Sequence, residues 1–167
     1  MGLQKIDSIK LSKYILSKVG EMNQQKLQKL IYYTQSWHLA YFEQELIDDR
    51  FEAWLHGPIS RNIWNYYKHI SNVYDIIQTP NDKDAVVKEL EVVLTDDQLD
   101  LVNSVLDEYG GSSAFELESL THSESPWQKA RIGCGIGDAC EKEIDNMEML
   151  DFYRTRLYGE NFQTAEA

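Results

Sequence analysis

The chain has 167 residues and a formal net charge of −12. This length suits one domain with a single buried core, and two cysteines are too few for a disulfide framework or a four-cysteine zinc site. No stretch approaches the roughly 18 consecutive apolar residues of a membrane span, and the N-terminal segment lacks the apolar core of a secretion signal. We therefore expect a soluble, cytoplasmic protein without a membrane partner.

The negative charge is concentrated in the second part of the chain. Residues 1–70 hold nine Lys and Arg against seven Asp and Glu, whereas residues 71–167 hold seven against twenty-one, a net −14. Such a surface repels nucleic-acid phosphates and attracts a basic protein, although it is also typical of a surface that only maintains solubility. Nucleic acid is therefore not an expected ligand of this half. The candidate contacts for a basic partner are Asp96, Asp97 and Asp100.

The first part of the chain predicts two helices and a small hairpin. A one-sided apolar pattern over residues 8–19 ends at Gly20, which suits a left-handed helix cap. Asn23 is a favourable N-cap for a longer core helix, whose apolar residues keep a three-and-four spacing for four turns. Leu46-Ile47 and Phe51–Leu55 then predict two short strands around a polar turn, a hairpin that needs helices to support it.

The dipeptide Gly57-Pro58 predicts a sharp turn after the hairpin. Proline fixes its own φ and lacks an amide donor, and glycine tolerates a positive φ. Ser60 can cap the helix that follows. The expected apolar stripe of that helix is Ile63, Tyr66, Tyr67 and Ile70. We favour a structural role for the turn, and the alternative is that it displays Trp54 and His56 as a binding patch.

Helices dominate the second part of the chain. Residues 86–94 are apolar and acidic, and their pattern leaves the secondary structure open. Thr95 to Gln98 and Ser113 to Glu116 are capping boxes, in which two side chains satisfy free backbone amides. Ser125 to Gln128 has the same pattern, with Pro126 at the favoured first helical position. The last helix is expected to bury Met147, Leu150, Tyr153 and Leu157.

The histidines show no catalytic or metal-binding motif. His38 lies on the apolar face of the core helix and suits a hydrogen-bonded core position. His56 and His122 lie beside proline turns, and a hydrolase that uses either of them with Glu124 is kept as an alternative. We expect no enzymatic activity, cofactor or metal. The glycine-rich segment 133–140 lacks the ending of a phosphate-binding loop, and its two cysteines are expected to be reduced thiols.

The tryptophans raise the possibility of an aromatic binding surface. Trp37 and Trp127 are expected to be packed, because they lie on a core stripe and at a helix start. Trp54 and Trp64 occupy polar-facing positions, where they form either a second buried layer or an exposed surface, and we favour packing. Trp54, His56 and Trp64 are accordingly the candidate partner-binding residues of the hairpin region.

Three motifs follow one another in the chain: KLQKL at residues 26–30, FEAWLHGP at 51–58, and LTH with PWQKAR at 120–131. Together they resemble the Panacea domain, the family of SocA-type antitoxins and phage-associated relatives. The resemblance covers most of the chain, and GCGIGDAC at 133–140 departs from it. The motif residues are Lys26, Leu27, Lys29, Leu30, Phe51, Ala53, Trp54, Gly57, Pro58, His122, Pro126 and Trp127.

The resemblance implies a mainly α fold, a compact multi-helix domain with a small two-stranded β-hairpin. We expect this domain over residues 1–160, with a disordered tail over 161–167. The resemblance also implies an antitoxin that neutralises a cognate protein toxin by direct binding. Some relatives act as adapters that deliver the toxin to an ATP-dependent protease, and this mechanism stays open. An unrelated alternative is a DNA-binding autorepressor that uses the lysines of the first two helices.

Overall fold

A computed structural model describes residues 2–70 and 74–166, with side chains described as far as residue 157. Over these residues the chain forms eight helices and two small antiparallel sheets, so the predicted mainly α fold with a hairpin is confirmed. The predicted tail over 161–167 falls on residues whose side chains lie outside this description, and it stays a prediction. The elements are α1 Ser8–Val19, β1 Met22–Asn23, α2 Gln24–Phe42, β2 Phe51–Trp54, β3 Gly57–Ser60, α3 Arg61–Tyr67, β4 Ile76–Ile77, α4 Lys83–Val93, α5 Asp96–Tyr109, α6 Ala114–His122, α7 Ser125–Ala130 and α8 Asn146–Glu166.

The central element of the fold is α2, which packs against α1, α5, α6, α8 and the hairpin. As predicted, Asn23 caps its first turn, and the Asn23 side chain accepts a hydrogen bond of 2.9 Å from the Lys26 amide. The Lys26 ammonium group donates to the Gly110 carbonyl at 2.6 Å, where α5 has ended. Leu27 and Leu30 are fully buried in the core. Contacts on all sides make α2 the support of the smaller elements.

The segment Leu46-Ile47 is not the strand that its apolar character predicted. The Gln35 side chain of α2 binds its backbone instead. Gln35 Oε1 accepts from the amides of Leu46 and Ile47 at 2.9 and 3.1 Å, and Gln35 Nε2 donates to the Ile47 carbonyl at 2.9 Å. A buried backbone must be hydrogen-bonded, and here a side chain supplies the partners that a second strand would otherwise provide.

The hairpin pairs β2 with β3, and its turn is Leu55-His56. The prediction of a turn at Gly57-Pro58 was therefore wrong, since these residues begin the second strand and Pro58 lies opposite Ala53. Proline is tolerated there because the first residues of a strand can lack a ladder donor. Phe51 and Ala53 of β2 are fully buried, so the hairpin lies on the helices as expected.

A segment close to the C-terminal helix covers the outer edge of β2. The Ala53 amide donates to the Lys142 carbonyl at 2.8 Å, and the Ile144 amide donates to the Phe51 carbonyl at 2.7 Å. Glu52 and Glu143 form the bridge between these two bonds. The chain that follows the glycine-rich bend is thus attached to the hairpin.

Most of the predicted helix signals are present, with one shift. Thr95 and Ser113 form complete capping boxes, and the undecided stretch over 86–94 belongs to α4. The N-cap of α7 is Glu124 and not Ser125, which lies inside the helix. The amides of a first helical turn have no partner within the helix, so Pro126 is tolerated one position later than predicted.

Three side chains that were expected on buried stripes are exposed. Tyr66 is 44% exposed although it lies inside α3, and Ile70 is 54% exposed because the helix ends before it, at Tyr67. Met147 is 58% exposed, and Met149 is buried in its place beside Leu150 and Tyr153. The first turn of α8 therefore turns a different face toward the core from the one that the spacing predicted.

The expectation of reduced thiols is also wrong, because Cys134 and Cys140 form a disulfide. Their Cα atoms lie 6.1 Å apart, within the ordinary range for such a bond. Two glycines with positive φ, Gly133 and Gly137, fold the bend back on itself. This reversal of the chain brings the sulfur atoms together. The spacing of the two cysteines in the sequence does not indicate it.

His38 is a buried core residue with a partner on each ring nitrogen. Its Nδ1 lies 2.7 Å from the Gln44 carbonyl oxygen, and its Nε2 lies 3.1 Å from Gln98 Nε2. Gln98 Oε1 is already engaged with the Thr95 amide in the capping box. The Gln98 amide group therefore donates to Nε2, and His38 Nδ1–H donates to Gln44. This tautomer is neutral, and burial lowers the pKa of His38.

We predict that His38 makes the stability of the fold depend on pH. The folded protein keeps the ring neutral, while the unfolded chain binds a proton below about pH 6.5. The contribution of His38 is therefore fully present above that pH and is lost as the pH falls toward the folded-state pKa. Chemical denaturation between pH 7.5 and 5 should show a smaller loss of stability in His38→Gln than in the natural protein. Equal pH dependence in the two proteins would contradict this assignment.

Candidate functional site

Side chains of the PWQKAR motif hold the hairpin from one side. Arg131 Nη1 donates to the Ala53 carbonyl oxygen at 2.7 Å, and the Trp127 indole donates to the Trp54 carbonyl oxygen at 2.9 Å. Both bonds satisfy the backbone of β2 just before its turn. They fix the strand that carries the Trp54 side chain.

His122 adds a third contact to those of Arg131 and Trp127, and we refer to these three side chains as the clamp. Its ring stacks on Trp127 with centroids 4.0 Å apart, and the Arg131 guanidinium lies 4.9 Å from the centre of the Trp127 ring. His122 also contacts the Leu55 backbone, while burial lowers its pKa. The LTH and PWQKAR motifs thus form one unit, which binds three successive backbone groups of the hairpin.

Lys29 lies fully buried beneath β3. Its Nζ donates to the side-chain and backbone oxygens of Gln25 at 2.8 and 3.2 Å. Burial lowers the pKa of Lys29 to about 8, an effect that the Glu118 charge partly opposes. Gly57 has a φ of 113°, and a Cβ atom built on it would lie 2.8 Å from Lys29 Cε and 3.2 Å from Thr121 Oγ1. Residues of three motifs therefore meet at this point.

A groove of about 370 Å³ opens beside the hairpin turn. Trp54 and Trp64 form its aromatic part, with ring centroids 5.3 Å apart at an interplanar angle of 62°. Other lining residues come from α2, from the hairpin and from the bend after α7. They include Gln25, His56, Ile59, Tyr74, Ala139 and Glu141. This is the site that we refer to as the aromatic groove.

A second depression of about 340 Å³ adjoins the aromatic groove. The two share Gln25, His56 and Tyr74 in their walls. His56 Nδ1 lies 2.6 Å from Glu118 Oε1 at this junction, and Phe115, which is 74% exposed, lines the second depression. The apolar surface therefore continues past His56, with aromatic side chains in both parts.

The rim of the aromatic groove carries more negative than positive charge. The Arg61 guanidinium lies 5.4 Å from the centre of the Trp54 ring and donates two bonds to Glu52 at 2.7 and 2.9 Å. These bonds hold the pKa of Glu52 below its usual range and balance the arginine charge. Glu141 lines the aromatic groove, and Glu118 lines the second depression. The rim therefore favours a partner with positive charge.

The three aspartates predicted as contacts lie at the start of α5, apart from the aromatic groove. Asp97 and Asp100 line a separate, open depression of about 640 Å³, together with Tyr41, which is 60% exposed. This depression shares no lining residue with the aromatic groove. Asp96 belongs to the same first turn. The structure thus separates the candidate residues into an aromatic set and an acidic set.

The pairing expected for a hydrolase is not formed. Glu124 is buried, and its Oε1 accepts hydrogen bonds from Tyr33 and Tyr153 at 2.7 and 2.8 Å. Burial raises the pKa of this carboxyl group. Among the described side chains, neither His56 nor His122 is hydrogen-bonded to it. Glu124 instead joins α2, α7 and α8 in the core.

Among the side chains described for residues 2–70 and 74–157, no cluster of three or more His, Cys, Asp or Glu is placed to hold a metal ion. No helix of the described chain is both long and apolar enough to cross a lipid bilayer.

Several residues of the aromatic groove were not predicted from the sequence. Tyr74 and the Ala139–Glu141 wall reach it through irregular connections, and Glu118 reaches His56 from α6. Helical or strand periodicity carries no signal for such contacts, because it reports only the faces of single elements. The three motifs were the available signal, since their residues lie in α2, in the hairpin and in α6 and α7.

The structure is that of a helical domain whose hairpin is clamped by side chains and borders an exposed aromatic groove. The family described as antitoxin SocA-like, Panacea domain matches residues 27–128, more than half of the chain, and the chain belongs to this family. The resemblance inferred from the motifs is thereby confirmed. No curated protein and no solved structure matches the chain.

The close contact at Gly57 predicts a measurable loss of stability on substitution. Gly20 has the same φ of 113° but open space around its missing side chain, so it is a matched control. We expect Gly20→Ala to cost about 1–3 kcal/mol through backbone strain alone. Gly57→Ala should cost about 1–3 kcal/mol more, because the new methyl group forces the buried Lys29 and Thr121 side chains to shift. Urea denaturation of both variants gives this difference, and equal costs would show that the contact is unimportant.

Proposed function

We propose that this protein is the antitoxin of a toxin–antitoxin pair and neutralises a cognate protein toxin in the cytoplasm by binding it directly. Membership of the antitoxin SocA-like family supports the general role. The observation that carries the direct-binding mechanism is the aromatic groove, where Trp54 and Trp64 face a surface large enough for side chains of a partner. Neutralisation by occlusion requires no catalytic group on the antitoxin.

The groove has the chemistry of a protein-binding site. Tryptophan and tyrosine are enriched where protein interfaces gain most of their binding energy. The Trp54 indole donates to Glu52 at 3.0 Å, and the clamp holds its backbone, so this ring is ordered before binding. A pre-ordered side chain loses little conformational entropy on association. The acidic rim selects a toxin segment that combines apolar and basic side chains.

The acidic set at the start of α5 has a different role in this proposal. Asp96, Asp97 and Asp100 belong to the part of the chain that carries the net charge of −14. Charge of one sign attracts an oppositely charged partner before contact and raises its association rate. We assign the aromatic groove to short-range binding and the acidic surface to the capture of a basic toxin.

The separation of the two surfaces also favours a second mechanism. An adapter has to hold its cargo and an ATP-dependent protease at the same time, which requires two surfaces that do not overlap. The aromatic groove and the depression lined by Asp97 and Asp100 share no residue. Co-expression in cells with and without the protease distinguishes the mechanisms, because an adapter lowers the amount of toxin only where the protease is present.

The first test is co-expression with the product of a neighbouring gene. We expect that product to be toxic alone, harmless with this protein and recovered with it in a pull-down. Trp64→Ala should weaken the purified complex by roughly thirtyfold or more, the size of an interface hot spot. Val92→Ala removes a side chain that is 76% exposed on α4 and should leave the affinity unchanged. If the two substitutions changed the affinity equally, the toxin would bind outside the aromatic groove.

The second test separates electrostatic attraction from short-range binding. Between about 0.01 M and 0.15 M salt, the Debye length falls from about 30 Å to about 8 Å. The association rate should fall by about tenfold, while the dissociation rate changes less. Reversal of Asp96, Asp97 and Asp100 to lysine should reduce this salt dependence, with Thr95 and Gln98 kept to preserve the capping box. An association rate that does not change with salt would remove the capture role from the proposal.

A further inference from the structure

We propose that Cys134 and Cys140 are a reversible thiol–disulfide site, and that its oxidation state controls one wall of the aromatic groove. The site takes a low-molecular-weight thiol or a protein dithiol as its reaction partner. This inference deepens the proposed function, because the wall belongs to the surface that we assign to the toxin. It is carried by the position of the disulfide, the different exposure of its two cysteines and the few bonds that hold the wall.

The disulfide lies directly at the groove. Cys140 is one of the lining residues, between Ala139 and Glu141. These three residues and the segment of α2 that includes Gln25 line the same groove. A bond that fixes Cys140 therefore fixes the middle of this wall.

Few other contacts hold the wall in place. The chain is anchored before it by α7 and after it by the pairing of Lys142 with β2, where the Lys142 carbonyl accepts from Ala53 at 2.8 Å. Between these anchors, Arg131 donates to the Asp138 carbonyl, and Arg61 lies 3.5 Å from Glu141. The disulfide is the covalent tether of the bend. Without it, the bend keeps the Arg131 bond, the donation of Lys142 Nζ to the Ile132 carbonyl at 2.7 Å and two backbone bonds before Ala139, while the wall itself keeps the long, exposed Arg61–Glu141 ion pair.

The two cysteines differ in exposure. Cys140 is 5% exposed, whereas Cys134 is half-buried, in a bend whose Ile136 is fully exposed. An external thiolate reaches a disulfide most easily at its accessible sulfur. Attack on Cys134 forms a mixed disulfide, breaks the Cys134–Cys140 bond and releases the Cys140 thiolate, which takes a proton from water.

The exchange is completed by a second thiol of the reductant. This thiol, as its thiolate, attacks the reductant sulfur of the mixed disulfide and releases Cys134 as a thiolate, which is then protonated. The reductant becomes a disulfide, and two electrons have passed to the protein. The reverse sequence, with an oxidised thiol as acceptor, closes the bond again. In a reducing compartment, disulfides of this kind are typically transient and regulatory.

The test uses the full chain and needs no toxin. The protein is equilibrated in glutathione buffers of different ratio, the free thiols are alkylated, and the oxidised fraction is determined by mass spectrometry without denaturant. Hydrogen exchange is then measured in oxidised protein and in protein reduced with dithiothreitol. We expect reversible interconversion of the cysteines and exchange at amides 139–141 that is about tenfold faster after reduction, with no change in α2.

Cys134→Ser is the matched variant, because it leaves the buried Cys140 side chain in place. It should exchange like the reduced protein in both buffers. Three results would overturn the proposal: cysteines that do not interconvert in the folded protein, equal exchange at the wall in both states, or faster exchange that extends to α2. These results leave the antitoxin assignment untouched, since that assignment depends on toxin binding.

Discussion

The close approach of β3 to α2 is the constraint on which the hairpin, its clamp and the aromatic groove depend. A Cβ atom at Gly57 would lie 2.8 Å from Lys29 Cε, so the backbone of β3 comes this close to the Lys29 side chain only because residue 57 is glycine. Lys29 is buried, and a buried ammonium group is costly unless it is hydrogen-bonded, which Gln25 accomplishes from the preceding turn of α2. The hairpin therefore lies on a polar side chain of α2 that is already hydrogen-bonded. With β3 fixed there, Trp54 in the paired strand has one position relative to α2.

Local signals predicted the helices well, because helix caps act over three residues. Asn23 and Thr95 bind amides of their own first turns, and such contacts are visible as short sequence patterns. The hairpin was placed incorrectly because the contact that decides its position joins residues that are distant in the sequence. The backbone of Leu46-Ile47 is satisfied by the distant Gln35 side chain, and a side chain bonded to backbone leaves no periodic pattern. The cysteine pair escaped prediction as well, since its geometry depends on glycine conformations in the bend.

The candidate site was predictable on one side only. Trp54 and His56 are two residues apart, so strand alternation indicated a shared face, and Trp64 was expected beside them. All three line the aromatic groove. The opposite side, with Tyr74 and the Ala139–Glu141 wall, arrives through connections without regular structure. No spacing in the sequence encodes where such connections return to the core.

The parts of the groove differ in how they are held, and this difference follows the limits of the family match. The range 27–128 contains Trp54 and Trp64, which form the aromatic side, and the Lys29–Gly57 contact that fixes the hairpin. The Ala139–Glu141 wall lies beyond that range and depends on the bend. A surface built from a fixed part and a separately anchored part can retain its binding chemistry while its shape is adjusted. Under the proposed antitoxin role, the basis for distinguishing one toxin from another is therefore best sought in the wall, where a change of sequence leaves the Gly57 contact intact.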